Sequence, residues 1–144
     1  APLSPIHEHD ITTGWPKEAP KKADLVLLDP PYWQQAKGRY SDDSTDLANV
    51  SIEDFNARWG QVVAACAKHA SRIAYIISPT QLEDGSVIDH ATDLLQPFVK
   101  LGWKVERRVI VTYNTQQATG QQVTWARENK RMLKLYRDLI ILKV

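Results

Sequence analysis

Cysteine is almost missing from this chain: Cys66 is the one thiol in 144 residues, so no internal disulfide can form. That usage fits an intracellular, cytoplasmic protein better than a secreted one. Cys66 falls at helical spacing among apolar residues, which predicts a buried structural thiol rather than a nucleophile. Glycine is scarce too, with six residues at 14, 38, 60, 85, 102 and 120. No two of them lie within four positions of one another, which excludes a glycine-rich turn. Long apolar runs are absent. None approaches the roughly 18 residues that a membrane-spanning helix needs. No charged-then-apolar segment opens the chain, so no secretory signal is expected.

The apolar content of 43% is that of an ordinary globular protein and excludes disordered or collagenous chains. Residues 1–144 make one domain's worth of chain, long enough to bury a core. The net charge of +1 hides an asymmetry. Residues 1–99 hold 8 Lys/Arg against 14 Asp/Glu, whereas residues 100–144 hold 10 against 3. A basic C-terminal third is what a phosphate-contacting surface requires, and also what a solvated helix face looks like.

Periodicity predicts alternating strands and helices. Residues 6–11 could form a short strand ending near Asp10. Residues 24–29 read as a strand buried on both faces, stopped by Pro30. Residues 33–50 form a long polar loop. Ser51 is a good N-cap, and Phe55, Trp59, Val62, Val63 and Cys66 recur at helical spacing to about Ala70. A strand follows over 72–78, halted by Pro79, then a helix over 89–101 ended by Gly102. A third strand covers 103–112. After a Gln-rich loop over 113–122 come a helix over 123–134 and a last strand over 138–144. Such alternation implies an α/β sheet whose ligand site lies outside the carboxyl ends of its strands. Asp29 stands at one such end and Ser78-Pro79-Thr80-Gln81 at the next.

The stretch "DLVLLDPPYW", residues 24–33, ends in groups suited to one chemistry. An amino group on an aromatic base is a poor nucleophile, because its lone pair is delocalised into the ring. A site that alkylates it must hold acceptors against its N–H bonds. Asp29 offers a carboxylate, and Pro30 offers a carbonyl that a fixed φ aims in one direction. Pro31 stiffens the turn, Tyr32 gives a flat face for an extruded base, and Trp33 could extend that wall.

Asp29-Pro30-Pro31-Tyr32 after an apolar strand resembles the catalytic motif of the S-adenosylmethionine-dependent DNA amino-methyltransferases, which modify adenine N6 or cytosine N4. The helix from Ser51, "AYIISPTQ" and "VTWARENKRMLKLYRDLIILKV" follow in the order of that family's catalytic half. Asp in first place resembles the adenine enzymes, serine being commoner in the cytosine group. The resemblance implies a partial Rossmann-like methyltransferase fold: a mostly parallel sheet with helices on both faces and an antiparallel last strand. It implies DNA as partner, S-adenosylmethionine as cofactor, and no membrane. It makes Asp29, Pro30, Pro31 and Tyr32 catalytic, and it puts Asp10 of "HEHDIT" beside Asp29 as a cofactor contact.

The chain departs from the family in lacking its Phe-x-Gly-x-Gly cofactor turn and its first strands. A missing segment or a second chain is therefore expected to carry that turn. Trp33, Gln116, Gln117, Arg127, Lys130, Arg131 and Lys134 are the nucleic-acid-binding candidates, the four cations at helical spacing. A solvated loop and a solvated helix face are the plain readings of the same residues. His7 and His9 share a face with no clustered third ligand, so no metal site is expected. Trp15, Trp59, Trp103 and Trp125 suit a core or an interface better than a stacking platform. Within enzymes, cytosine N4, an RNA base amine or a glutamine amide would need the same acceptors. From another class, a non-catalytic nucleic-acid-binding remnant would keep only the basic region.

Overall fold

The computed structural model describes residues 6–33, 47–112 and 119–144. It is a mixed α/β fold built on a four-stranded sheet in the order β1-β2-β6-β5. These strands are β1 (Ala23–Leu28), β2 (Ala70–Ile77), β5 (Lys104–Thr112) and β6 (Tyr136–Lys143). A two-stranded hairpin, β3 (Thr80–Gln81) and β4 (Val87–Ile88), follows directly on β2 and had no signal in the sequence pattern. β1 pairs parallel with β2, whereas β6 lies antiparallel to both β2 and β5. The last strand is antiparallel, as expected. Because it is inserted between β2 and β5, one strand pair is parallel and two are not, which corrects the expectation of a mostly parallel ladder.

The helices are α1 (Ile52–Ala67), α2 (His90–Asp93), α3 (Gln96–Lys100) and α4 (Gly120–Glu128). Ser51 caps α1, its hydroxyl accepting the Asp54 N–H, and the expected stripe of Phe55, Trp59, Val62, Val63 and Cys66 is buried. That stripe meets Ile73, Tyr75 and Ile77 of β2 and Ile140 and Leu142 of β6 in one core. Burial of Cys66 pushes its thiol up to about 11, so it stays protonated and inert near neutral pH. Trp59 donates its indole N–H to the Leu94 carbonyl at 2.9 Å, and Tyr75 its hydroxyl to Ala91 at 2.7 Å. Two polar tips are thus satisfied while their rings fill the core. Phe98 stacks on Tyr75 with centroids 5.9 Å apart, and Trp103 packs edge-on against Phe98.

Other departures have local causes. The helix expected over 89–101 is split, because Pro97 has no N–H to give to Asp93 and its ring crowds that turn. Gly102, at φ 84, ends the second piece in a left-handed turn that favours glycine. Residues 6–10 form no strand. Asp10 instead caps a 3-10 turn, Ile11–Thr13, accepting from the Thr12 N–H at 2.9 Å and the Thr12 hydroxyl at 2.7 Å. The last helix starts early on a Thr119–Gln122 capping box and ends at Glu128. Lys130, at φ 51, turns the chain away, so Lys130, Arg131 and Lys134 are not on a helix.

The largest departure concerns the sheet's two faces. Val26 and Leu28 pack on the core, but Leu25 and Leu27, on the opposite face of β1, are 54% and 60% exposed. With Ala74, Leu139 and Ile141 they line a shallow apolar depression rimmed by Arg72, Glu106 and Arg107. Helices α1 and α3 pack on the core side, so β1 is buried on one face and not on two. β1 also ends the sheet, leaving its outer edge unpaired among the described residues. No described helix is long and apolar enough to cross a membrane. Trp59→Ala should cost about 3–5 kcal/mol, because a fully enclosed ring leaves a cavity and strands the Leu94 carbonyl. Urea denaturation with far-UV circular dichroism checks this.

Candidate nucleic-acid and catalytic site

Leu28, the last residue of β1, lies opposite Tyr75 in the parallel ladder, which fixes where the chain leaves the sheet. Asp29 follows with its side chain exposed, and it makes no side-chain hydrogen bond or ion pair among the described residues. Pro30 is buried, Pro31 and Tyr32 are half-buried, and Trp33 drops into the core at 6% exposure. The Trp33 indole N–H donates to the Val50 carbonyl at 2.9 Å. The four-residue turn is thus pinned at both ends, by the ladder at Leu28 and by a buried indole at Trp33. Between the pins it presents a solvent-facing carboxylate. Trp33 acts here as an anchor: its ring is enclosed and offers no face for a base, contrary to its expected place in a stacking wall.

Tyr32 keeps part of its ring accessible, and the guanidinium of Arg137, at the start of β6, lies 5.3 Å from its centroid. That is cation–π range. Arg137 was not among the sequence candidates, which stopped at Lys134. The available signal was its position beside the basic run at the start of an alternating strand. Its neighbour Asp138 is buried and accepts from Arg108 Nε at 2.9 Å, a bond that raises the Arg108 pKa.

The turn after β2 ties three segments together. The Thr80 hydroxyl lies 3.5 Å from the Trp33 carbonyl and 3.0 Å from His90 Nε2. Gln81 Oε1 accepts the Met132 N–H at 2.7 Å, and Arg131 donates to the Leu82 carbonyl. Lys134 Nζ donates to the Pro79 carbonyl at 2.9 Å, and burial lowers its pKa. The four cations therefore divide. Arg127 and Lys130 are exposed, whereas Arg131 and Lys134 are half-buried and stitch the segment after α4 to the β3–β4 hairpin. Gln116 and Gln117 lie outside the described residues. Trp125, expected in a core or interface, is 57% exposed on α4. Trp15 stacks flat on His69 at 4.9 Å.

Asp10 is exposed, and the Thr12 hydroxyl and amide hold its carboxyl below the usual carboxylate range. One of its oxygens is engaged in capping the 3-10 turn. No described glycine would bring an added Cβ within 4 Å of any atom outside its immediate surroundings. The spacing of the glycines in sequence, with no two within four positions, leaves no glycine-rich turn. Among the described residues, no group of three or more His, Cys, Asp or Glu side chains gathers to hold a metal.

No protein-family model matches the chain, and no curated protein matches it by sequence. Solved structures do share its fold. A candidate DNA modification methylase from Thermus thermophilus, as a selenomethionine derivative, superposes with a TM-score of 0.54 at 16% identity. The same protein complexed with S-adenosyl-L-methionine superposes with a TM-score of 0.56, also at 16% identity. The likeness covers 92% of this chain but 47% and 51% of those chains, so this chain spans about half their length. At such identity the likeness is one of architecture.

The division of the cations is testable. Lys134→Met keeps the apolar stem but removes the charge-assisted hydrogen bond to the Pro79 carbonyl, and should cost about 1–3 kcal/mol. Arg127→Gln should stay within about 0.5 kcal/mol of the parent. Chemical denaturation of the two variants side by side separates the roles.

Proposed function

We propose that this chain is the amine-orienting half of a DNA methyltransferase of partial Rossmann-like architecture, which methylates the exocyclic N6 of a flipped-out adenine. The observation that carries the reading is Asp29, an exposed, uncommitted carboxylate at the carboxyl end of β1, held between the ladder and a buried Trp33. In this reading the Asp29 carboxylate and the Pro30 carbonyl accept the two N–H bonds of the amine. They hold its nitrogen short of planarity, so that the lone pair becomes available. Pro31 keeps both acceptors on one side, and Tyr32 supports the ring of the base. Positioning provides most of the acceleration. Arg137, Arg127 and Lys130 are suited to the phosphates on either side of the flipped nucleotide.

S-adenosylmethionine is the methyl donor that this reading requires, in a cytoplasmic enzyme acting on DNA. It would supply an electrophilic methyl group on a good leaving group. The chain has no glycine-rich turn to form its cradle, no two glycines lying within four positions of one another, and one Asp10 oxygen is engaged in its own cap. The cradle then belongs to a further segment or a second chain, and the fold neighbours, about twice as long as this chain, support that arrangement. The open edge of β1 and the bared Leu25 and Leu27 are the surface available to it. The same missing cradle favours a second reading, a nucleic-acid-binding remnant without catalysis.

In an enzyme completed by its cofactor-binding part, Asp29→Ala should lower single-turnover methylation by about 10- to 150-fold, the loss of one charge-assisted hydrogen bond. DNA affinity should change far less. Tyr32→Ala should weaken capture of the base, read with a fluorescent base analogue, by about 1–3 kcal/mol. Tyr32→Phe should be tolerated. Near-normal turnover by Asp29→Ala would remove the amine-orienting role. A completed protein that binds DNA yet transfers no methyl group would leave the remnant reading. Replacing Arg127 and Lys130 by Gln should weaken DNA binding equally across sequences and flatten its salt dependence by about one unit of slope per lost contact.

A further inference from the structure

His90 is fully enclosed, and no motif in the sequence draws attention to it. Its ring sits edge-on to Trp33 at 6.0 Å and tilted against Phe55 at 5.8 Å. Nε2 lies 3.0 Å from the Thr80 hydroxyl oxygen, which in turn lies 3.5 Å from the Trp33 carbonyl. A hydroxyl has one proton to give. If Thr80 donates it to the Trp33 carbonyl, the bond to the imidazole must run the other way, from Nε2–H to Thr80 Oγ1. Nδ1 then carries a bare lone pair, and it is buried with no hydrogen-bond partner. A proton placed there would create a buried charged N–H with no acceptor.

We infer that His90 is a positioning residue for the Asp29–Tyr32 turn: neutral, with its proton on Nε2, it fixes Thr80, and Thr80 fixes the Trp33 peptide that closes the turn. The consequence for catalysis rests on the methyltransferase reading. The relay itself does not.

The charged groups facing the ring agree with a neutral imidazole. Burial is the largest influence and pulls the His90 pKa below its ordinary 6.5. Lys134, from the segment after α4, acts in the same direction, while Asp93, the last residue of α2, and Asp89, its N-cap, oppose it more weakly in sum. Thr80, Trp33 and Phe55 add no charge. A histidine whose pKa is depressed by folding contributes its stability in full above 6.5. That contribution is lost as the pH falls from there through the lower folded value, because the unfolded chain takes up the proton first. The relay should therefore hold at neutral pH and release in acid.

The test uses the 144-residue chain. Long-range proton–nitrogen spectra of the imidazole should show the Nε2–H tautomer at neutral pH and titration below 6.5. Exchange of the Trp33 indole proton should accelerate along the same titration. An Nδ1–H tautomer, or a Trp33 indole indifferent to the His90 titration, overturns the relay. His90→Gln, whose amide N–H reaches the Nε2 position, should keep the slow exchange. His90→Asn, whose amide falls short, should speed it by about 2- to 10-fold. Equal exchange in the two variants also overturns it, and if His90→Asn does not fold, the parent's tautomer and titration decide. In a completed enzyme His90→Asn should lower kcat with little change in KM for DNA. A parent that passes the spectroscopic tests, with a completed enzyme that never methylates DNA, refutes the proposed function and leaves the relay standing.

Discussion

The burial of Trp33 is the constraint on which the rest of the site depends. Asp29 and Trp33 are four residues apart, and one faces solvent while the other lies inside the core with its indole N–H on Val50. A carboxylate at a strand end ordinarily has freedom to swing or to find a cation. Here two successive prolines fix φ between it and the anchor, and the anchor is part of the same aromatic core that holds α1 against β2. The geometry of Asp29 is thus set by packing several residues away, and the carboxylate itself remains uncommitted. Thr80 joins that anchor to the hairpin after β2, and Arg131 and Lys134 join the hairpin to the segment after α4. Three separate stretches of chain converge on the carboxyl ends of β1 and β2.

The sheet beneath that site is finished on one face and open on the other. Leu25 and Leu27 alternate with Val26 and Leu28, so a single strand carries both the core and the bare surface. Edge strands with exposed apolar residues invite pairing, and proteins normally cover or blunt them. The fold neighbours have about twice the length over the same architecture. In the proposed reading, the open edge and bare face seen among the described residues and the lack of a glycine-rich turn belong to one arrangement, with the acceptor side of the site in this chain and the donor side elsewhere.

Much of the architecture was legible in the sequence because packing follows periodicity. Phe55, Trp59, Val62, Val63 and Cys66 announced α1, and each is buried; Ser51 announced its start. β1, β2, β5 and β6 stood out as apolar runs ended by Pro30, Pro79 and other breakers. What failed depended on contacts distant in sequence. An apolar run cannot say whether its second face will be covered, so the sequence pattern of β1 implies a doubly buried strand. The cations after residue 126 have helical spacing, but the helix stops at Glu128, and what Lys134 does is decided by a carbonyl 55 positions earlier. In sequence Trp33 extends a wall because it follows a tyrosine, whereas the Val50 carbonyl that claims it lies across a long loop. His90 and Arg137 had no motif at all, and only the fold brings them to Trp33 and Tyr32.

The most direct test of the account is whether the amino group of an extruded base seeks the exposed turn. Carbonyl and carboxyl carbon shifts of the chain can be followed as a duplex carrying one unpaired adenine is added, with a fully paired duplex as the control. The account predicts that the unpaired adenine alone shifts the Asp29 carboxyl and the Pro30 carbonyl, and that both duplexes shift the surroundings of Arg127 and Lys130. Shifts confined to the basic residues, with Asp29 and Pro30 silent to the unpaired adenine, would contradict it.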